Sequence, residues 1–154
     1  MRVYLVRHGD AAPAFYDDQR TLSDKGVVDI KLLAKFISHL GIQVAQIFHS
    51  EKLRAIQTAE ILSSVISTKA PMESLSDLDP ISPVEHIVKA INAWNDDVVL
   101  VGHMPFMGKL AAKLVTGNAD INVVTFHTGT MVCLEQTDGT HWSINWSVHP
   151  ELLS

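Results

Sequence analysis

Two stretches of the chain end in the same way. Val3-Tyr4-Leu5-Val6 runs into Arg7-His8-Gly9, and Val98-Val99-Leu100-Val101 runs into Gly102-His103. Each is a continuous apolar run of strand length, the pattern of a strand buried on both faces of a parallel sheet. Open α/β sheets bind ligands just beyond the carboxyl ends of their strands. Both histidines therefore fall on the rim where chemistry is done, and if the two strands are neighbours their imidazoles can face each other. Near neutral pH a histidine serves as nucleophile, acid, base or donor to a developing anion. A third segment brings a fixed charge. After Gln46-Ile47-Phe48 come Ser50 and then Arg54, in the first turn or so of a helix. A cation there opposes the helix dipole, which favours anions at its N-terminus. An anion held between the guanidinium and the free backbone N–H groups resolves the conflict, and phosphate oxygens suit both. Gly9 lets the backbone pass close to such a pocket.

The elements that must position these residues can be read from periodicity. Ser23 is the expected N-cap of a helix whose inward residues are Ile30, Leu33, Ile37 and Leu40, with Phe36 beside them and Gly41 as its stop. A second helix is expected from Lys52 to Ile66, with Ala55, Ala59 and Leu62 inward. The segment from Pro71 to Pro83 is loop-rich. Ser82-Pro83-Val84-Glu85 then reads as a helix start, with Ser82 as N-cap, Pro83 at the first helical position and Glu85 completing a capping box. Ile87, Val88, Ile91 and Trp94 form that helix's apolar face. A further helix is expected from about Pro105 to Thr116, closed by Gly117. Thr130 to Leu134 and His141 to Val148 alternate like a hairpin around Asp138-Gly139. Strands and helices alternate and then give way to a hairpin. That order predicts an α/β fold, a three-layer α/β/α sandwich whose central sheet is mostly parallel with an antiparallel addition near the C-terminus. No repeat or linker breaks the pattern, so residues 1–154 are expected to form a single domain.

Composition narrows the function classes. Hydrophobic residues make up 47% and charged residues 19%, a globular balance. The net charge of −5 argues against non-specific nucleic-acid binding, which rests on basic surface. Any phosphate site must then be locally basic on an acidic background. Cys133 is the single cysteine, so no internal disulfide can form. The N-terminal apolar run is too short for a signal peptide core. No stretch approaches the roughly 18 apolar residues of a membrane span. The expectation is a soluble, cytoplasmic protein with neither a membrane nor a nucleic-acid partner.

Leu5-Val6-Arg7-His8-Gly9-Asp10 resembles the Arg-His-Gly signature of the histidine phosphatase superfamily. Leu22-Ser23-Asp24-Lys25-Gly26 resembles its helix start. Ser50 to Ala59 resembles its Ser-x-x-x-Arg-x-x-Gln-Thr-Ala segment, and Val101-Gly102-His103 its second catalytic histidine. The motifs stand in the family's order between positions 3 and 103. Within the superfamily the chain is most similar to the SixA-type phosphohistidine phosphatases, in Met1 to Ala12, in its short length and in the ending Asn145-Trp146 and His149-Pro150.

The resemblance implies a phosphoglycerate mutase-like fold and catalysis without metal or cofactor. It implies His8 as the nucleophile that becomes phosphohistidine, with Arg7, Arg54 and His103 around the phosphoryl oxygens. Gly9 and Arg20 join them as candidate substrate-binding residues, Arg20 being equally able to pair with Asp17 or Asp18. Relatives often carry a carboxylic acid that protonates an ester's leaving oxygen. Asp18 and Asp79 are the candidates for it, with Asp17 and Asp77 nearby in the same loops. A phosphorylated imidazole can instead take its proton from solvent, near the ordinary histidine pKa of about 6.5. A short chain without an obvious acid is thus easier to reconcile with phosphohistidine on a protein, such as a phosphotransfer or histidine kinase domain. The rival readings are a phosphatase of small phosphate esters or sugar phosphates with the same core, and a non-catalytic phosphate-binding regulatory module. His49, His127, His141 and His149 are expected at the surface or in the hairpin, His127 lying in the least readable segment. Cys133 is expected to be a buried structural thiol.

Overall fold

The computed structural model describes residues 1–154. The first apolar run forms β1 (Arg2–Arg7), and a loop with a single 3-10 turn leads to α1 (Asp24–Ile37). Ser23 caps this helix, its hydroxyl accepting from the Gly26 N–H at 3.0 Å. Asp24 adds a favourable charge in the first turn. Ile30, Leu33, Ala34 and Ile37 face inward. A 3-10 turn extends the helix to Leu40, which is exposed, and Gly41 ends it at φ +61°, a conformation glycine adopts without strain. The short β2 (Gln43–Val44) precedes β3 (Gln46–His49), then α2 (Leu53–Ser63), β4 (Ser67–Thr68) and β5 (Glu73–Ser74). β2 and β4 pair in parallel apart from the main sheet. Two-residue strands carry no periodicity, so nothing along the chain marks them.

α3 (Glu85–Trp94) begins later than its sequence suggests. Ser82 makes no capping bond. Its N–H donates to the Asp79 carbonyl at 3.1 Å, so it belongs to a turn, and Val84 stands at the N-cap with no side-chain acceptor. Val84 is buried. Burying a valine side chain is worth about 1.5–3 kcal/mol, more than the ~1 kcal/mol a cap contributes. β6 (Val98–Gly102), α4 (Phe106–Thr116), β7 (Met131–Asp138) and β8 (His141–Val148) complete the chain. Gly117 closes α4 at φ +81°, and the hairpin turns through Gly139.

The main sheet has six strands in the order β5-β3-β6-β1-β7-β8. The first four run parallel, β7 runs antiparallel to β1, and β8 antiparallel to β7. Alternation along the strands divides the core in two. Tyr4, Val6, Val99, Val101 and Cys133 pack on the α1–α2 side. Val3, Leu5, Val98, Leu100, Val132 and Leu134 pack on the α3–α4 side. The result is the expected α/β/α sandwich, with Cys133 fully buried. No helix is long and apolar enough to cross a membrane.

Candidate active site

β1 and β6 are direct neighbours, with Arg7 opposite Gly102. The residues that follow them therefore emerge side by side. The His8 N–H donates to the Gly102 carbonyl at 2.9 Å, and on the far side of β6 the Ser50 N–H donates to the Val101 carbonyl at 2.9 Å. The imidazoles of His8 and His103 lie with ring centres 5.0 Å apart, inclined by 55°. Arg54 occupies the second position of α2 and is 5% exposed. Arg7 sits at the end of β1, its Nη1 donating to the Phe126 carbonyl at 2.8 Å. The structure thus brings His8, Arg7, Arg54 and His103 to one sheet edge. Arg7 Nε, Arg54 Nε and His103 Nδ1 are buried without a partner in the protein. Buried donors are nearly always satisfied, and an oxyanion offers several acceptors at once.

The tautomer of His8 follows from its contact. Its Nδ1 lies 2.7 Å from the Gly9 carbonyl, which can only accept, so Nδ1 carries the proton. In the neutral ring the lone pair is then on Nε2. Burial pushes the His8 pKa down to about 4, and the positive charges of Arg54, Arg7 and Arg20 act in the same direction. Burial and the neighbouring His8 lower His103 to about 3. Both rings are neutral at pH 7. His103 Nε2 lies 2.7 Å from the Ser50 hydroxyl, which also accepts from the Lys52 N–H at 3.2 Å. Ser50 thus links the start of α2 to the ring of His103.

The carboxylate that reaches the cluster is Asp17. Its carbonyl accepts from Arg54 Nη1 at 2.8 Å, and its Oδ2 lies 3.4 Å from Arg54 Nη2 and 2.9 Å from Lys52 Nζ. Arg20 Nη1 stands 3.7 Å from the other oxygen. Donation from Lys52, with the nearby Arg54 charge, holds the Asp17 carboxyl down at about 2. Arg20 also donates to the Ala12 and Ala11 carbonyls, at 3.2 and 3.4 Å. Asp18 and Asp79 are exposed. Asp77 pairs instead with His86 at 3.4 Å.

Gly9 also lies close against packed side chains. A Cβ there would lie 2.8 Å from Ile30 Cγ1 and 3.1 Å from Leu22 Cδ2, so a larger residue would have to displace these side chains beneath the loop. Its N–H donates to the Thr58 hydroxyl at 3.1 Å, and Thr58 in turn donates to the Arg54 carbonyl at 2.8 Å. Gln57 Oε1 accepts from the Leu22 N–H at 2.8 Å. Gln57 and Thr58 stand in the motif that the sequence displays, yet their task, tying α2 to the loop after β1, is visible only in three dimensions. His49 is buried, contrary to expectation, with Nδ1 2.9 Å from the Ser50 carbonyl. His127 lies against His149, ring centres 4.3 Å apart.

This geometry can be set beside known proteins. The chain is 28% identical over 155 residues to the phosphohistidine phosphatase SixA of Escherichia coli, covering 97% of this chain and 94% of that one. It is 33% identical over 124 residues to an uncharacterised protein of Picosynechococcus sp., covering 76% and 74%. The structure of a protein histidine phosphatase SixA complexed with tungstate superposes with a TM-score of 0.90 at 26% identity over the whole of both chains. The family model of the histidine phosphatase superfamily (branch 1) matches residues 3–84, a span that holds β1, His8 and Arg54. With these matches, the chain belongs to branch 1 of the histidine phosphatase superfamily.

Proposed function

We propose that the protein is a phosphohistidine phosphatase whose nucleophile is His8. The observation that carries the proposal is the state of that ring: neutral, with Nδ1–H committed to the Gly9 carbonyl and Nε2 free, beside Arg54 and His103. In the first step Nε2 forms a bond to phosphorus as the phosphorus–nitrogen bond of the substrate breaks. The departing imidazole keeps the electron pair and takes a proton from solvent. In the second step a water oxygen attacks phosphorus, the Nε2–phosphorus bond breaks, and inorganic phosphate leaves with His8 neutral again. Phosphoryl transfer demands mainly positioning and charge stabilisation. Arg7 and Arg54 supply fixed positive charge. His103 donates through Nδ1–H to a phosphoryl oxygen when the Ser50 hydroxyl donates to its Nε2.

The choice of phosphohistidine over an ester rests on the carboxylates. Asp17 is the acid nearest the cluster, and it is held ionised, so it has no proton to give. Asp18 and Asp79 stand in solvent. An alkoxide leaving group needs a proton that this site does not hold ready, whereas a phosphorylated imidazole can take its proton from solvent on the far nitrogen. The similarity to SixA, and the tungstate bound to one such protein, a tetrahedral oxyanion like phosphate, support the same reading. The partner is then a histidine-phosphorylated phosphotransfer or kinase domain. Phosphate release from such a domain, measured beside p-nitrophenyl phosphate with EDTA present, tests it. Fast release from the domain with weak ester hydrolysis is expected. Preference for the ester would move the substrate to small molecules.

A further inference from the structure

Two of the largest exposed apolar side chains of the protein stand together beside this site. Phe15 is 93% exposed and Tyr16 59% exposed. Their rings are 4.8 Å apart and nearly perpendicular, at 83°, so they form one aromatic knob. The segment that carries them is anchored. The next residue, Asp17, is held by its carbonyl to Arg54 and by its carboxylate to Lys52 and Arg54. The Gln19 N–H donates to the Tyr16 carbonyl at 3.1 Å. At the base of the loop the Ala12 N–H donates to the Thr21 carbonyl at 2.8 Å, and Arg20 holds the carbonyls of Ala11 and Ala12. The backbone next to the pair is thereby tied to the Arg54 edge of the site.

Exposed apolar surface is ordinary when scattered, but a contiguous aromatic pair beside a charged site has the composition of an interface anchor. A folded protein brings far more surface to the phosphoryl group than a small molecule does, and the pair stands next to Asp17, which is bonded to Arg54 at the site. We infer that Phe15 and Tyr16 are the docking element for the protein substrate, burying themselves against an apolar patch next to its phosphohistidine. This inference rests on the phosphohistidine reading above and adds the surface that selects a protein over a small molecule.

The test compares one bond in two settings. Phosphate release is measured from a histidine-phosphorylated phosphotransfer domain and from free phosphohistidine, for the unaltered protein and for the Phe15→Ser/Tyr16→Ser double variant. Both residues are exposed, so the fold is expected to survive, and an unchanged Tm checks it. For the domain, kcat/KM is expected to fall about tenfold or more, the scale of an interface anchor, through KM, while kcat and the turnover of free phosphohistidine stay unchanged. Unchanged kinetics on the domain would overturn the docking role. An equal fall on both substrates would also overturn it, since the loop would then act through Arg54. Failure of the unaltered protein to act on either phosphohistidine substrate would remove the parent reading and the docking role with it.

Discussion

His103 shows how much of this chemistry depends on single contacts. Its ring has one neighbour that can choose its tautomer, the Ser50 hydroxyl at 2.7 Å. Without that contact the proton is free to sit on either nitrogen, and the ring loses its fixed orientation. Ser50→Ala is therefore expected to lower kcat/KM roughly tenfold to a hundredfold, as loss of positioning does. Nitrogen NMR of His103 should change from one tautomer to a mixture, and Ser50→Thr, which keeps the hydroxyl, should restore both. A variant that loses activity with an unaltered His103 spectrum would assign Ser50 to the helix start alone. His8, His103, Arg7 and Arg54 were legible in the sequence because each follows a strand-like run or opens a helix, and such boundaries leave local signals. Asp17 was not singled out from Asp18, because its distinction is contact with Lys52 and Arg54 from another element. The Phe126 carbonyl on Arg7 was invisible for the same reason, since a backbone acceptor has no residue signature.

Among the elements, α1 sets the floor of the site. It crosses beneath the loop after β1 so closely that a Cβ on Gly26 would lie 2.0 Å from the Asp10 carbonyl oxygen. The clash is with main chain, so no rotamer relieves it. Helix propensity alone predicts that Gly26→Ala stabilises by about 1 kcal/mol. Overpacking typically costs about 1–3 kcal/mol and here falls on rigid backbone. The clash should win, lowering Tm by roughly 2–8 °C for a net loss of about 1–2 kcal/mol. A raised Tm in a thermal melt would show that α1 can shift away from the loop. The helices were readable where an apolar face and a cap coincide, as at Ser23 and Gly41. The start of α3 was misread because local cap chemistry at Ser82 yields to the burial of Val84, and burial is decided by distant partners.

Across the whole molecule, a protein of net charge −5 holds a locally cationic edge with two neutral histidines in it. This makes stability pH-dependent. In the unfolded chain a histidine takes up its proton near pH 6.5. In the folded protein His8 does so near 4 and His103 near 3. Between those limits the unfolded state binds more protons, so stability is full above about pH 6.5 and is lost progressively as pH falls toward 3 to 4. Asp17 acts in the same direction at lower pH. Its folded pKa near 2 lies below the usual carboxylate value, so its contribution fades as pH drops through that range. Solvent weakens that contribution, because the side chain is largely exposed. Denaturant midpoints measured from pH 7 to pH 4.5 should decline, and less steeply in His8→Ala than in the unaltered protein. A flat profile would mean that the histidines are not held neutral. The sandwich itself was the most legible feature, because alternation of strands and helices is written along the whole chain, whereas the pairing of β2 with β4 joins segments too short to announce themselves.

In the proposed mechanism a phosphoryl group passes through His8. The most direct measurement is rapid-quench mass spectrometry of the protein mixed with a histidine-phosphorylated phosphotransfer domain, under basic conditions that preserve phosphohistidine. A transient phosphoryl adduct on His8, formed before free phosphate appears and absent from His8→Ala, is the predicted result. Undiminished phosphate release by His8→Ala, or an adduct mapped to another residue, would contradict it.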